Sequence, residues 1–203
     1  MATSGAPAEV NDEDDFDRRD QILEAALLCF AQFGIQRTSI QDVARMARVA
    51  RGTVYRYFED RKMLVEAAIR LGGQKYYQTV AAAMAGKGTL AGQLGAMAEA
   101  QATILLDHRT RNRLMADDAE FMSYMLSDAD SVVRRSTEFL VPYVREAQKR
   151  GEVARGVDVL AASEWLARLM HSLSTVNEAQ AFDVSRPESV GKYVETFAVN
   201  GLR

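Results

Sequence analysis

The chain has 203 residues, 48% hydrophobic and 26% charged, with a net charge of −3 and one cysteine. Such a chain can bury a sizeable core, and its single cysteine excludes an intramolecular disulfide and the usual cysteine metal sites. No run of about 20 apolar residues and no signal-peptide core is present, so a cytoplasmic location is expected.

The first 17 residues carry Glu9, Asp12, Glu13, Asp14, Asp15 and Asp17 without a single base. Such a segment buries too little apolar surface to offset ordering entropy and is expected to be a disordered acidic tail. A helix is predicted over 18–33, where Ile22, Leu23, Ala26, Leu27, Phe30 and Phe33 form one stripe and Gly34 is placed to end it. Cys29 lies near that stripe and reads as a small core hydrophobe.

Residues 37–62 read as two short helices. Thr38 or Ser39 opens the first, and Thr38-x-x-Gln41 has the capping-box form. Ile40, Val43, Ala44 and Ala47 then follow the i, i+3, i+4, i+7 pattern of a buried face. After a turn at 48–50, the second helix begins near Arg51 with Val54 and Phe58 inward, leaving Arg51, Thr53, Tyr55, Arg56 and Tyr57 outside. A helix of this kind fits the DNA major groove, about 12 Å wide. Arg51 can fork onto guanine O6 and N7, Thr53 and Tyr55 can reach base edges or phosphates, and Gly52 allows close backbone approach. Arg56, Tyr57, Arg61 and Lys62 suit phosphates, which fix register without reading sequence. Arg37, Thr38, Ser39 and Gln41, around the start of the first helix, complete the expected DNA-facing set. From residue 18 to 62 there are nine bases against five acids, a net of +4 in a chain of net −3.

These residues resemble the helix-turn-helix of the TetR/AcrR family of transcriptional regulators. Ser39, Val43, Ala44, Ala47, Val49, Gly52, Thr53, Val54, Tyr55, Tyr57, Phe58, Asp60 and Leu64 match its pattern in register. The resemblance implies base contacts from Arg51, Gly52 and Tyr55, and phosphate contacts from Thr53, Tyr57 and Arg61. Three positions depart from the pattern. Arg48 stands where a turn glycine is usual and must tolerate an unusual backbone angle. Ala50 stands where a serine often caps the second helix, so a contact worth roughly 1 kcal/mol is missing. Arg61-Lys62 replaces the common Lys-Glu.

The remainder is helical in pattern. A fourth helix is predicted over about 60–84, with a break at Gly86-Lys87-Gly88, and further helices near 89–107, 110–126 and 129–150. Gly72-Gly73 lies mid-helix, where each glycine costs about 1 kcal/mol relative to alanine, so a bend or a close contact is expected. In the resembled family this helix links ligand cavity to DNA head, which makes Gly72-Gly73 a candidate hinge. Pro142 is expected to kink its helix. From Asp158, Ala162, Trp165, Leu166, Leu169, Met170, Leu173 and Val176 form a stripe too broad for one packing face. Ser185-x-x-Glu188 then has the form of a cap for a last helix carrying Val190, Tyr193, Val194 and Phe197.

The fold class expected is all-α: a three-helix helix-turn-helix head at 18–62 and a helical effector-binding and dimerisation body at 63–203. The resemblance implies that the last two helices pair with their copies, through Leu166, Leu169, Leu173, Val190, Tyr193, Val194 and Phe197. Met97, Ile104, Phe121, Met122, Met125, Phe139, Tyr143, Trp165 and Met170 are adaptable apolar residues that suit a cavity for a small lipophilic effector. No Gly-rich phosphate loop, nucleophile elbow or His-Glu-x-x-His occurs, and His108 and His171 stand far apart, so neither catalysis nor a metal or cofactor is expected. The function expected is repression by a homodimer on a palindromic DNA operator, relieved by the effector. The alternative is a DNA-binding scaffold or architectural protein without an effector.

Overall fold

The structure, a computed structural model, describes residues 12–111, 129–176 and 178–202, with side chains over 16–107, 131–176 and 178–202. Every long element among them is an α-helix: α1 Asp12–Phe33, α2 Ile40–Met46, α3 Arg51–Tyr57, α4 Arg61–Met84, α5 Leu90–Arg111, α6 Ala129–Lys149, α7 Val159–Thr175 and α8 Pro187–Phe197, followed by a short 3-10 turn at Asn200–Leu202. The predicted helix at 110–126 lies almost wholly outside the described residues. Contacts divide the chain into two compact units, one ending at Gly72 and the other beginning at Gly73.

The first unit is built on Ile22, Ala26, Cys29, Val43, Val54, Phe58, Leu64 and Ala68, all nearly or fully buried. Its border falls inside α4 rather than at residue 62. The reason is packing: Leu64, Val65, Ala67 and Ala68 on the first turns of α4 belong to this core. Gly72 faces α1 closely, for a Cβ there would stand 3.3 Å from Leu27 Cδ2, whereas Gly73 has nothing within 4 Å. Close packing therefore accounts for the first glycine, and α4 runs through both without a break.

The expected tail is corrected at its end, since α1 begins at Asp12 and takes in residues expected to be disordered. Acidic composition does not oppose helix there, because a helix N-terminus carries partial positive charge and favours negative neighbours. Residues 1–11 lie outside the described part.

The second unit joins α5 with α8 and α6 with α7 around Leu94, Met97, Leu140, Val144, Leu166, Met170, Val190 and Val194. Where α5 meets α8 the backbones touch. A Cβ on Gly95 would lie 2.9 Å from the Gly191 carbonyl oxygen, and one on Gly191 would lie 2.9 Å from that of Gly95. Only glycine fits at such a separation. Asp158 caps α7 as expected, its carboxylate accepting from the Ala161 amide at 2.7 Å. The box expected at Ser185 does not form. Helix α8 starts at Pro187 with Arg186 as an N-cap lacking a side-chain bond, while the Ser185 hydroxyl donates to Asp183 at 2.6 Å. Asp183 thereby competes successfully for the serine.

Candidate nucleic-acid interface

Helix α2 has only seven residues, so its ends decide whether it persists. Ser39, not Thr38, is the N-cap. Its hydroxyl accepts from the Asp42 amide at 3.2 Å, and the Asp42 carboxylate accepts from the Ser39 amide at 3.0 Å and hydroxyl at 2.6 Å. These bonds from Ser39, with a further one from Arg45 at 2.6 Å, hold the Asp42 carboxyl below the ordinary aspartate value of 3.8. The Thr38-x-x-Gln41 box is thus corrected to Ser39-x-x-Asp42. Thr38 is buried and donates its hydroxyl to the Gly34 carbonyl at 2.7 Å, which commits that hydroxyl proton within the head.

At the other end of α2 the chain closes in a Schellman arrangement, with Val49 N donating to Ala44 O at 2.9 Å and Arg48 N to Arg45 O at 3.2 Å. That motif places one residue in the left-handed region. Here it is Arg48, with φ 55°, the strained turn position expected from the missing glycine. Ala50 then starts α3 without a side-chain cap, also as expected.

Helix α3 buries Val54 and is followed by buried Phe58, which turns Arg51, Gly52, Tyr55 and Arg56 to the outside. Thr53 and Tyr57 are half-buried. Two arginine–tyrosine pairs mark this helix. Arg51 Nη2 donates to the Tyr55 hydroxyl at 3.2 Å, and Arg56 Nη2 to that of Tyr57 at 3.1 Å. In each pair the guanidinium also lies near the ring, 5.4 Å from the centroid in the first and 5.0 Å in the second.

A concavity of about 440 Å³ gathers Arg37, Thr38, Ser39, Gln41, Arg51, Tyr55 and Arg61 from the expected set. Gln36 joins them. It went unnoticed because a lone exposed amide in a loop carries no periodic signal. Arg37 is exposed and caps α1, its Nε donating to Phe33 O at 2.8 Å. Arg61 is corrected: its guanidinium donates to Thr38 O at 3.1 Å and to Ile35 O, so it braces the loop between α1 and α2 in place of presenting its charge wholly to a phosphate. Lys62 is exposed and 3.9 Å from Glu66.

In the second unit the expected sets sort differently. Leu166, Val190 and Val194, expected at a dimer contact, are 0%, 5% and 1% exposed and close the core of one chain. Leu169, Leu173 and Tyr193 are half-buried, and Phe197 is exposed. Trp165, expected to face an effector, is 46% exposed on the outer side of α7, with Leu160 and Val176 also exposed. The broad stripe of α7 therefore splits into an inward edge at Ala162, Leu166 and Met170 and an outward one. Met97 and Met170 are core residues, Ile104 and Tyr143 are half-buried, and Phe121, Met122 and Met125 lie outside the described residues. Phe139 packs between Tyr77 and Tyr143 with its ring tilted to both, the centroids 5.0 Å and 5.3 Å away.

The short helices α2 and α3, packed on a small core with α1 and the first turns of α4, form a helix-turn-helix head. Residues 22–68 match the model of the bacterial regulatory proteins of the tetR family. The repressor KstR2 of Mycolicibacterium smegmatis is 34% identical over 53 residues, 26% of this chain and 26% of its own length, so the match spans about a quarter of the relative. Over the whole fold the chain is similar to Salmonella enterica GusR, with a TM-score of 0.66 at 21% identity, covering 97% of this chain and 99% of the other. It is also similar to the transcriptional regulator FadR from Bacillus subtilis, solved in complex with stearoyl-CoA, with a TM-score of 0.61 at 17% identity and coverage of 91% and 99%. Residues 22–68 are thus similar to the heads of tetR-family regulators, and the fold of the whole chain is similar to that of regulators of known structure.

Proposed function

We propose that this protein is a one-component transcriptional repressor that binds a palindromic operator as a homodimer and is released by a small lipophilic effector. The observation that carries the DNA-reading part is helix α3, which sets Arg51, Gly52 and Tyr55 outward over a packed Val54 and Phe58. Two such helices on a two-fold axis would enter successive major grooves about 34 Å apart. Arg37, Ser39, Gln41, Thr53, Arg56, Tyr57 and Lys62 would hold phosphates around them.

Dimerisation through α7 and α8 is supported by their outward apolar residues, Leu160, Trp165, Val176 and Phe197, each more than 45% exposed. Phe182, Tyr193 and Phe197 continue that surface as a ring ladder, at 4.5 Å and 5.1 Å. An effector preferring a state with mis-spaced heads would shift the population off DNA by its differential affinity. Half-buried Ile104, Phe139 and Tyr143 suit an apolar ligand, and His171, whose Nδ1 is buried without a hydrogen-bond partner among the described residues, offers a polar anchor. A similar fold that carries stearoyl-CoA agrees with a lipophilic ligand.

Arg51→Ala tests the reading helix. The variant is expected to keep its helicity and dimerisation and to lose sequence-specific binding while retaining weak binding to any duplex. Unchanged specific affinity would remove α3 as the reader.

A further inference from the structure

Arg51 and Tyr55 stand one turn apart on the exposed side of α3, and they already touch. The guanidinium lies 5.4 Å from the Tyr55 ring centroid, and its Nη2 donates to the phenolic oxygen at 3.2 Å. Both side chains line the same concavity. An isolated exposed arginine samples many rotamers and gives up that freedom when it docks. Here a ring face and a hydroxyl restrict the guanidinium on two sides before any DNA arrives.

We propose that Arg51 and Tyr55 form one base-reading unit, in which Tyr55 is a positioning residue that aims the Arg51 fork at a guanine. The donor inventory fits. Arginine has five N–H donors, and the bond to Tyr55 takes one, leaving others for guanine O6 and N7. The Tyr55 hydroxyl accepts from Arg51 and keeps its own proton, which can be donated to a neighbouring base acceptor or phosphate oxygen. The ligand is therefore a G·C pair flanked by an acceptor within the same half-site. This inference rests on α3 being the reading helix and adds how its specificity is set.

The test takes the duplex selected by the wild-type protein from a random pool and varies the base pair at each half-site position. Affinities are measured for wild type, Tyr55→Phe, Arg51→Lys and the double variant. Wild type should prefer guanine at one position by on the order of 5- to 150-fold. Tyr55→Phe keeps the ring and loses the hydroxyl, so that preference should fall about two- to tenfold, at that same position. Arg51→Lys keeps a donor for guanine but loses the fork that Tyr55 aims, so it should cut that preference further than Tyr55→Phe does, and the double variant should lose nothing more there. Affinity for non-specific duplex and the melting temperature should not move, which separates aiming from folding. Independent, additive losses, or a Tyr55→Phe effect at a different position or at none, would overturn the coupling while leaving α3 as the reader. A wild-type pool without any enriched sequence would overturn the reading itself, and the coupling with it.

Discussion

Replacing Ala50 with serine should supply the cap that α3 lacks. Ala50 has φ −69° and ψ 147°, the extended region also used by Ser39 at φ −95° and ψ 159°, whose hydroxyl caps α2. The backbone is thus already in capping geometry. Ala50 is exposed, so the new hydroxyl costs little desolvation. Its natural donor is the Thr53 amide, three residues on, which at present bonds only the Ala50 carbonyl, at 2.9 Å. Because that donor would be shared, the gain belongs in the lower half of the N-cap range, about 0.5–1 kcal/mol. Hydrogen exchange reports it locally: amides of α3 should become about two- to fivefold better protected, with a rise of about 1–4 °C in melting temperature for a chain of this size. Ser39→Ala should move α2 the opposite way by about 1 kcal/mol. Unchanged protection in α3 despite a measurable loss in α2 would refute the view that the missing side-chain cap limits this helix.

Acid should weaken the α2 cap. The folded-state pKa of Asp42 is depressed, so its contribution to stability is present above 3.8 and is lost as pH falls through the folded value; a pH titration of head unfolding should show that limb flattened by Asp42→Asn. Arg61→Lys keeps the charge but cannot span the Ile35 and Thr38 carbonyls, and is expected to cost about 1–2 kcal/mol in urea unfolding; wild-type stability with weakened DNA binding would return Arg61 to a phosphate role. Gly191→Ala must push its Cβ against the Gly95 carbonyl and should destabilise by about 1–3 kcal/mol, whereas Gly73→Ala, with open space around it, should stabilise α4 by up to about 1 kcal/mol; calorimetry distinguishes the two signs. Phe197→Asp should yield a helical monomer by sedimentation, while Leu166→Asp should unfold the body; a stable dimer from the first would move the interface elsewhere.

The reader was legible because its helices are short and strictly patterned: Val43, Ala44, Val54 and Phe58 fall where a 3.6-residue period puts them. What periodicity could not supply was the choice between adjacent groups of like chemistry. Thr38 and Ser39 both begin a box-like spacing, and only the packing of Thr38 into the core gives the cap to Ser39. Arg61 reads as a phosphate ligand until the carbonyls of Ile35 and Thr38, which accept from its guanidinium, appear beside it. The breadth of the α7 stripe signalled two apolar faces, but not that Leu166 would turn inward and Trp165 outward. Those assignments depend on neighbours distant in sequence.

Selection of bound sequences from a random duplex pool by the purified protein tests the central claim most directly. The account predicts an enriched consensus with two-fold symmetry and half-site centres one helical turn, about 10 base pairs, or a multiple of that apart. A pool without enrichment, or a consensus without symmetry, would contradict a dimeric repressor reading DNA through α3.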